Sequence, residues 1–129
     1  IGQRLARRLC QKCKVEDKLP AEVEATLKEH LSTIPDEAFY GEVDKNSFTF
    51  YKGKGCASCA QTGYKGRLSI AEAIHVTRGF KDIIAKGFDR GEVDKELAKQ
   101  KFITMEQDGV IKALLGMTTI EEIMRVSKM

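Results

Sequence analysis

The chain has no tryptophan, and its aromatic residues are three tyrosines and six phenylalanines among 129 residues. Any core must therefore be built mainly from aliphatic side chains. There are only two prolines, Pro20 and Pro35, so long stretches are free to form regular elements. No apolar run approaches the ~18 residues of a membrane-spanning helix, and no secretory leader is expected. Neither sign of charge dominates: 22 basic and 19 acidic residues give a formal +3. So small a surplus gives no electrostatic reason to expect a nucleic-acid partner or direct attachment to a membrane.

Groups that carry chemistry are scarce as well. The only histidines are His30 and His75. His30 is expected to be solvated on the charged part of a helix. His75 is expected to be partly buried and hydrogen-bonded at the end of an apolar run. Neither stands beside a nucleophile and an acid that could work with it. The one Gly-Lys pair, Gly53-Lys54, is followed by Gly55, so no hydroxyl is placed for magnesium and there is no phosphate-binding loop. Most carboxylates sit beside lysines on helix faces, as solubilising charge does. No catalytic and no cofactor-binding residue is assigned, and this stretch alone is expected to catalyse nothing.

What the chain does have is four cysteines in two Cys-x-x-Cys pairs, Cys10-Gln11-Lys12-Cys13 and Cys56-Ala57-Ser58-Cys59. Each turn sets two sulfurs on one side of a tight loop, at a separation that suits two corners of a tetrahedron. Two such turns make a closed four-thiolate site for structural zinc, Zn2+, with no open position for water or substrate. The expected metal ligands are Cys10, Cys13, Cys56 and Cys59. The gap between the pairs, residues 14–55, is 42 residues, longer than in a compact zinc ribbon. Iron accepts the same four sulfurs, and zinc is favoured on prevalence. A thioredoxin-type pair works alone within a βαβ pattern that this chain lacks. Two structural disulfides would suit a secreted protein. Four thiolates around one dication would take the formal charge from +3 to +1. Arg7, Arg8, Lys12, Lys14, Lys52 and Lys54 flank the pairs and could offset the local negative charge, or could be ordinary solvated charges.

The pattern along the chain predicts an α+β fold, mostly helical. A small tetracysteine subdomain with a short β element, residues 1–76, should be followed by a helical lobe, residues 77–129. Gln3–Leu9 reads as the end of a basic helix, with Leu5 and Leu9 four apart. A helix should begin at Leu19-Pro20, bury Val23, Leu27 and Leu31, and stop before Pro35. Residues 48–51 read as a strand, and strand is favoured over helix for residues 67–72. Four helices should follow, around Phe80–Ile84, Val93–Phe102, Met105–Leu115 and from Ile120 onward. Gly87 and Gly116 should act as stops, and Thr118 or Thr119 should cap the last helix, with Glu121 or Glu122 completing a capping box. The chain starts at Ile1 within a segment that reads as helix, and is expected to be a piece of a longer protein.

Three segments carry a family resemblance. Gln3-Arg4-Leu5-Ala6-Arg7-Arg8-Leu9-Cys10 leads into the first cysteine pair. Cys56-x-x-Cys59 is followed by Thr62-Gly63-Tyr64-Lys65-Gly66-Arg67. The third runs Met105-x-x-Asp108-Gly109-x-x-Lys112-x-x-x-Gly116-x-Thr118-Thr119-x-x-Glu122-Ile123-x-Arg125-Val126. Together they resemble the C-terminal region of the secretion ATPases, the type II secretion and type IV pilus-assembly branch of the traffic ATPases. Ser69 stands where that family usually has glycine, and Ala71 where an aromatic is common. The resemblance implies a cytoplasmic, hexameric parent, peripheral to the inner membrane through its partners. Those partners would be neighbouring subunits and the inner-membrane platform and cytoplasmic components of a secretion or pilus machine. ATP and Mg2+ would be bound only in the parent's core, upstream of these residues. Two other readings compete. One is a free-standing zinc-ribbon nucleic-acid-binding module using Arg4–Arg8. The other is a rubredoxin-like electron carrier.

Overall fold

The structure, a computed structural model, describes residues 1–36 and 49–127. Its elements are β1 (Gly2–Leu9), β2 (Lys14–Asp17), α1 (Ala21–Ser32), β3 (Phe50–Gly53), a 3₁₀ turn (Ala57–Cys59), β4 (Tyr64–Glu72), α2 (Arg78–Ala85), α3 (Arg90–Lys99), α4 (Met105–Leu114) and α5 (Ile120–Ser127). The mixed α+β class with a small cysteine-bearing part and C-terminal helices is as expected from the sequence.

Gln3–Leu9 is a correction, for it is a strand and not a helix. β1 pairs antiparallel with β4, Arg4 facing Ile70 and Ala6 facing Leu68, and the register shifts between Arg7 and Leu9. Helix-compatible residues are overridden here by a partner 60 residues away in sequence, which buries Ala6 against Ile70 and Ile123. Leu5, on the other face, stays exposed. β2 pairs antiparallel with β3, Lys14 facing Gly53 and Asp17 facing Phe50. β3 covers the later part of the expected strand, and Phe48 lies outside the described residues.

The helices begin where their caps predict. Thr77 Oγ1 accepts from the Phe80 amide, Asp89 from that of Glu92, and Thr104 and Gln107 form a reciprocal capping box. α1, β3, α4 and the start of α5 share one apolar cluster of Leu27, Leu31, Ile34, Phe50, Val110, Ile111, Ala113 and Ile120. Ala6, Ile70, Ile123 and Val126 form a second, between the β1–β4 ribbon and α5. Gly109 lets α4 and α5 meet, because a Cβ there would lie 2.8 Å from two carbons of Ile123. α2 and α3 pack mainly on each other, and α3 buries no residue fully.

Both outer edges of the β1–β4 ribbon are held by side chains from the last two helices and the turn between them. On β4, the Ala71 amide donates to Asp108 at 3.0 Å, and Lys112 donates to the Ser69 carbonyl at 2.6 Å. These bonds use backbone groups, so the unusual side chains at 69 and 71 leave them intact. On β1, the Arg7 amide donates to Glu122 at 2.8 Å, and Thr118 Oγ1 donates to the Arg7 carbonyl at 2.9 Å. Open strand edges invite adventitious pairing, and these polar clips close them.

Thr119 caps α5 by accepting from the Glu122 amide at 3.1 Å. The carboxylate of Glu122 is engaged elsewhere. It is fully buried and takes bonds from the Arg7 amide, the Arg7 guanidinium and the Arg125 guanidinium. Burial alone would raise its pKa, but the hydrogen bonds from Arg125 and Arg7 overcome this and bring it to about 2, from an ordinary 4.5. A depressed carboxylate contributes stability that is complete above its ordinary pKa and is lost as pH falls through its folded value. Unfolding followed from pH 6 to pH 2 should thus show an acid-labile component between about 4.5 and 2. Glu122→Gln should flatten that component and cost about 2–4 kcal/mol at neutral pH, since it leaves buried donors without their anion. An unchanged acid profile in the variant would contradict this account.

Candidate metal centre

The strand pairing brings the cysteines together. Cys10 and Cys13 lie in the turn from β1 to β2, and Cys56 and Cys59 in the turn from β3 to β4. Because β1 pairs with β4 and β2 with β3, the two turns sit at the same junction. Cross-bonds fix it: the Cys10 amide donates to the Gly63 carbonyl at 2.9 Å, and the Lys54 amide to the Cys13 carbonyl at 3.2 Å.

All four Sγ atoms lie within 4.8 Å of one another. Cys10 to Cys56 and Cys13 to Cys59 are 3.8 Å, and Cys56 to Cys59 is 3.7 Å. A tetrahedral zinc with sulfurs at about 2.3 Å requires neighbouring sulfurs about 3.8 Å apart, so the donor set fits. A disulfide requires about 2.05 Å, and all four cysteines are free thiols, which removes the disulfide reading.

The backbone favours the thiolate form at Cys59 and Cys10. The amides of Cys56 and Gly63 donate to Cys59 Sγ at 3.3 and 3.2 Å. Burial opposes charge on Cys59, but these amides and the neighbouring thiols bring it down to about 6. A bond from the Lys12 backbone lowers Cys10 against its burial, whereas desolvation pushes Cys13 up to about 11. Ala60 and Gln61 both adopt positive φ, at 53° and 65°, a conformation that costs roughly 1–2 kcal/mol for each non-glycine residue. The loop keeps this conformation while wrapping its amides towards the sulfurs.

Glycine is required at one close approach. A Cβ at Gly53 would lie 2.4 Å from the Gly63 carbonyl oxygen, and one at Gly63 would lie 2.8 Å from that of Gly53. Of the flanking cations, several are engaged away from the sulfurs. Arg7 binds Glu122 and lies over the Tyr64 ring, Lys52 pairs with Asp17, and Lys14 donates to Gln11.

The histidines differ from expectation. His75 is exposed, and its backbone, not its ring, is clasped by the Gln100 side chain. His30 is half-buried near the end of α1. Gln11, Gly63 and Tyr64 are supporting residues that sequence reasoning left without a role at the centre, and Glu122 was read only as part of a helix cap. Gly63, Tyr64 and Glu122 were signalled by the motifs they belong to, and Gln11 only by its place between two cysteines.

With this geometry in place, family membership is clear. The family model for type II/IV secretion system proteins matches residues 1–125, and the chain belongs to that family. Among curated proteins it is 38% identical, over 125 residues, to the type IV pilus assembly ATPase PilB of Thermus thermophilus, covering 96% of this chain and 13% of that protein. To PilB of Pseudomonas aeruginosa it is 35% identical over 128 residues, covering 99% and 20%. To the type II secretion system protein E of Pectobacterium carotovorum it is 30% identical over 128 residues, covering 99% and 22%. The chain thus spans between 13% and 22% of the length of these relatives. No helix among the described residues is long and apolar enough to cross a membrane.

Gly63→Ala should lower zinc affinity by ten-fold or more in a chelator competition, because it displaces an amide bonded to Cys59. Gly66→Ala is the control. Gly66 has a similar φ of 80° but nothing within 4 Å, so its loss should strain the turn and leave affinity nearly unchanged. Equal affinities for all three proteins would remove Gly63 from the centre.

Proposed function

We propose that this chain is the zinc-bearing, C-terminal part of a hexameric secretion or pilus-assembly ATPase, and that its own role is structural. Cys10, Cys13, Cys56 and Cys59 would hold one zinc ion. Residues 1–76 would carry it, and residues 77–129 would supply the helices fastened onto that part. Supporting the reading is the near-tetrahedral spacing of four free thiols in a member of the type II/IV secretion family. A four-sulfur site leaves the metal no vacant position, so the ion supplies crosslinking and no reaction.

The parent would bind ATP and Mg2+ outside these residues, and turnover there would drive assembly of pilin-like subunits through an inner-membrane platform. The present residues would shape the subunit and pass motion to neighbouring subunits or to the platform, on the cytoplasmic side. The names of the relatives support this, since several are pilus assembly ATPases or secretion protein E.

The direct test is elemental analysis of the purified chain, which should give one zinc per chain and a colourless protein. Red absorbance with iron would replace the structural-zinc reading with an electron-carrier one. Binding energy from structural zinc is about 10 kcal/mol or more, comparable to the whole stability of a small domain. Cys56→Ser should therefore lose stoichiometric zinc and melt at least roughly 10 °C lower. Unchanged zinc content and melting in that variant would refute the proposal.

A further inference from the structure

We infer that Gln11, between the first two cysteines, is a positioning residue through which the sulfur centre fixes the turn between α4 and α5 and the start of α5. The inference rests on the zinc reading above and concerns what the metal holds in place.

Gln11 Nε2 donates to the Leu9 carbonyl and to the Gly116 carbonyl, both at 3.0 Å. Its Oε1 accepts from Lys14 Nζ at 3.1 Å. One side chain within the Cys-x-x-Cys turn therefore ties β1, the start of β2 and the α4–α5 turn, 105 residues away. Beside it the Leu9 amide donates to the Met117 carbonyl at 2.9 Å. Gly116 is buried with φ 75°, and a Cβ there would lie 2.7 Å from Lys14 Nζ, so the strut fits closely against the turn.

The second cysteine turn reaches the same place by another route. Gly63 donates to Cys59 Sγ, and the next residue, Tyr64, bonds through its hydroxyl to Thr119 Oγ1 at 2.9 Å. Thr119 in turn caps Glu122. Residues 116–122 are thus anchored to both cysteine turns. α2 and α3 have no comparable link among the bonds of the described residues. One tie of this pair to the body is the Gln100 clasp on His75.

Position explains why the metal should matter to this turn. Gln11 lies in a cysteine turn and Tyr64 is the first residue of β4 after the other, where Ala60 and Gln61 hold left-handed backbone and the turn has no regular element beyond one 3₁₀ turn. Once the four sulfurs separate, Gln11 and Tyr64 lose their fixed geometry, and the start of α5 keeps only its bonds to Arg7 and Leu9 of β1.

Hydrogen exchange read by mass spectrometry, with zinc measured on the same samples, tests the inference. In the zinc-loaded chain, amides of residues 117–123 should be protected, and chelation should speed their exchange ten-fold or more. Amides of residues 80–97 should change by less than two-fold. In the zinc-loaded state, Gln11→Ala and the isosteric Gln11→Glu should both speed exchange at residues 117–119 several-fold while keeping one zinc per chain. Absence of zinc from the wild-type chain would defeat the metal reading itself. With zinc bound, either unmoved exchange at 117–123 on chelation or equal acceleration across 80–97 would overturn the coupling. Gln11 variants indistinguishable from wild type would overturn the role of Gln11.

Discussion

The nested pairing of four strands is the constraint on which the rest of the molecule depends. β1 with β4 and β2 with β3 leave the chain no choice but to turn twice at one junction, and the cysteines occupy both turns. Neither two-stranded ribbon would be stable alone in water. One is covered by helices along a face and at both edges. The other, only four residues long on each strand, leans on Phe50 and on the sulfur junction. Four thiolates and a dication would carry a net charge of about −2, and backbone amides at the junction face the sulfurs. Arg7, Lys14 and Lys52 have other partners, and the amides of Cys56 and Gly63 supply local positive potential at Cys59.

The third sequence motif acquires a physical meaning from the edges of the longer ribbon. Asp108 and Lys112 close the β4 edge, and Thr118 and Glu122 close the β1 edge. Gly109 permits the helix contact, and Ile123 fills it. Every buried side-chain polar atom among the described residues finds a partner, as a network in a low-dielectric interior requires. Glu122 would be a liability as a lone buried charge. With two guanidiniums and an amide around it, the buried anion becomes the attachment point between strand and helix.

Much of this was legible from residues alone. Cysteine spacing gave the sulfur set, and local signals gave α1 through α5, because proline, threonine caps and apolar periodicity act within a few residues of where they stand. β1 was not legible. Gln3–Leu9 contains good helix formers, and what makes it a strand is a partner that begins at Tyr64, beyond the reach of any local pattern. The capping role of Glu122 was half right for the same reason. Its amide obeys the local rule at Thr119, while its carboxylate answers to Arg7, 115 residues away. His75 was read from the apolar run before it, but β4 ends at Glu72 and leaves the ring outside.

What a metal at the four cysteines would contribute follows from how the apolar surface is divided. Most buried apolar side chains among the described residues fall into two clusters, and the cysteine junction belongs to neither. Burying an aliphatic side chain contributes about 1.5–3 kcal/mol, so the few residues of the smaller cluster cannot also order two loops at the far end of the strands. Backbone ordering costs roughly 1–2 kcal/mol per residue, and the loop at Ala60-Gln61 adds strain to that. A crosslink of about 10 kcal/mol is of the right size to offset the ordering of such a loop pair, whereas one more aliphatic contact is not. Glycine at 53 and 63 shows the same logic from the packing side, for the loops meet backbone to backbone, with no side chains between them to bury.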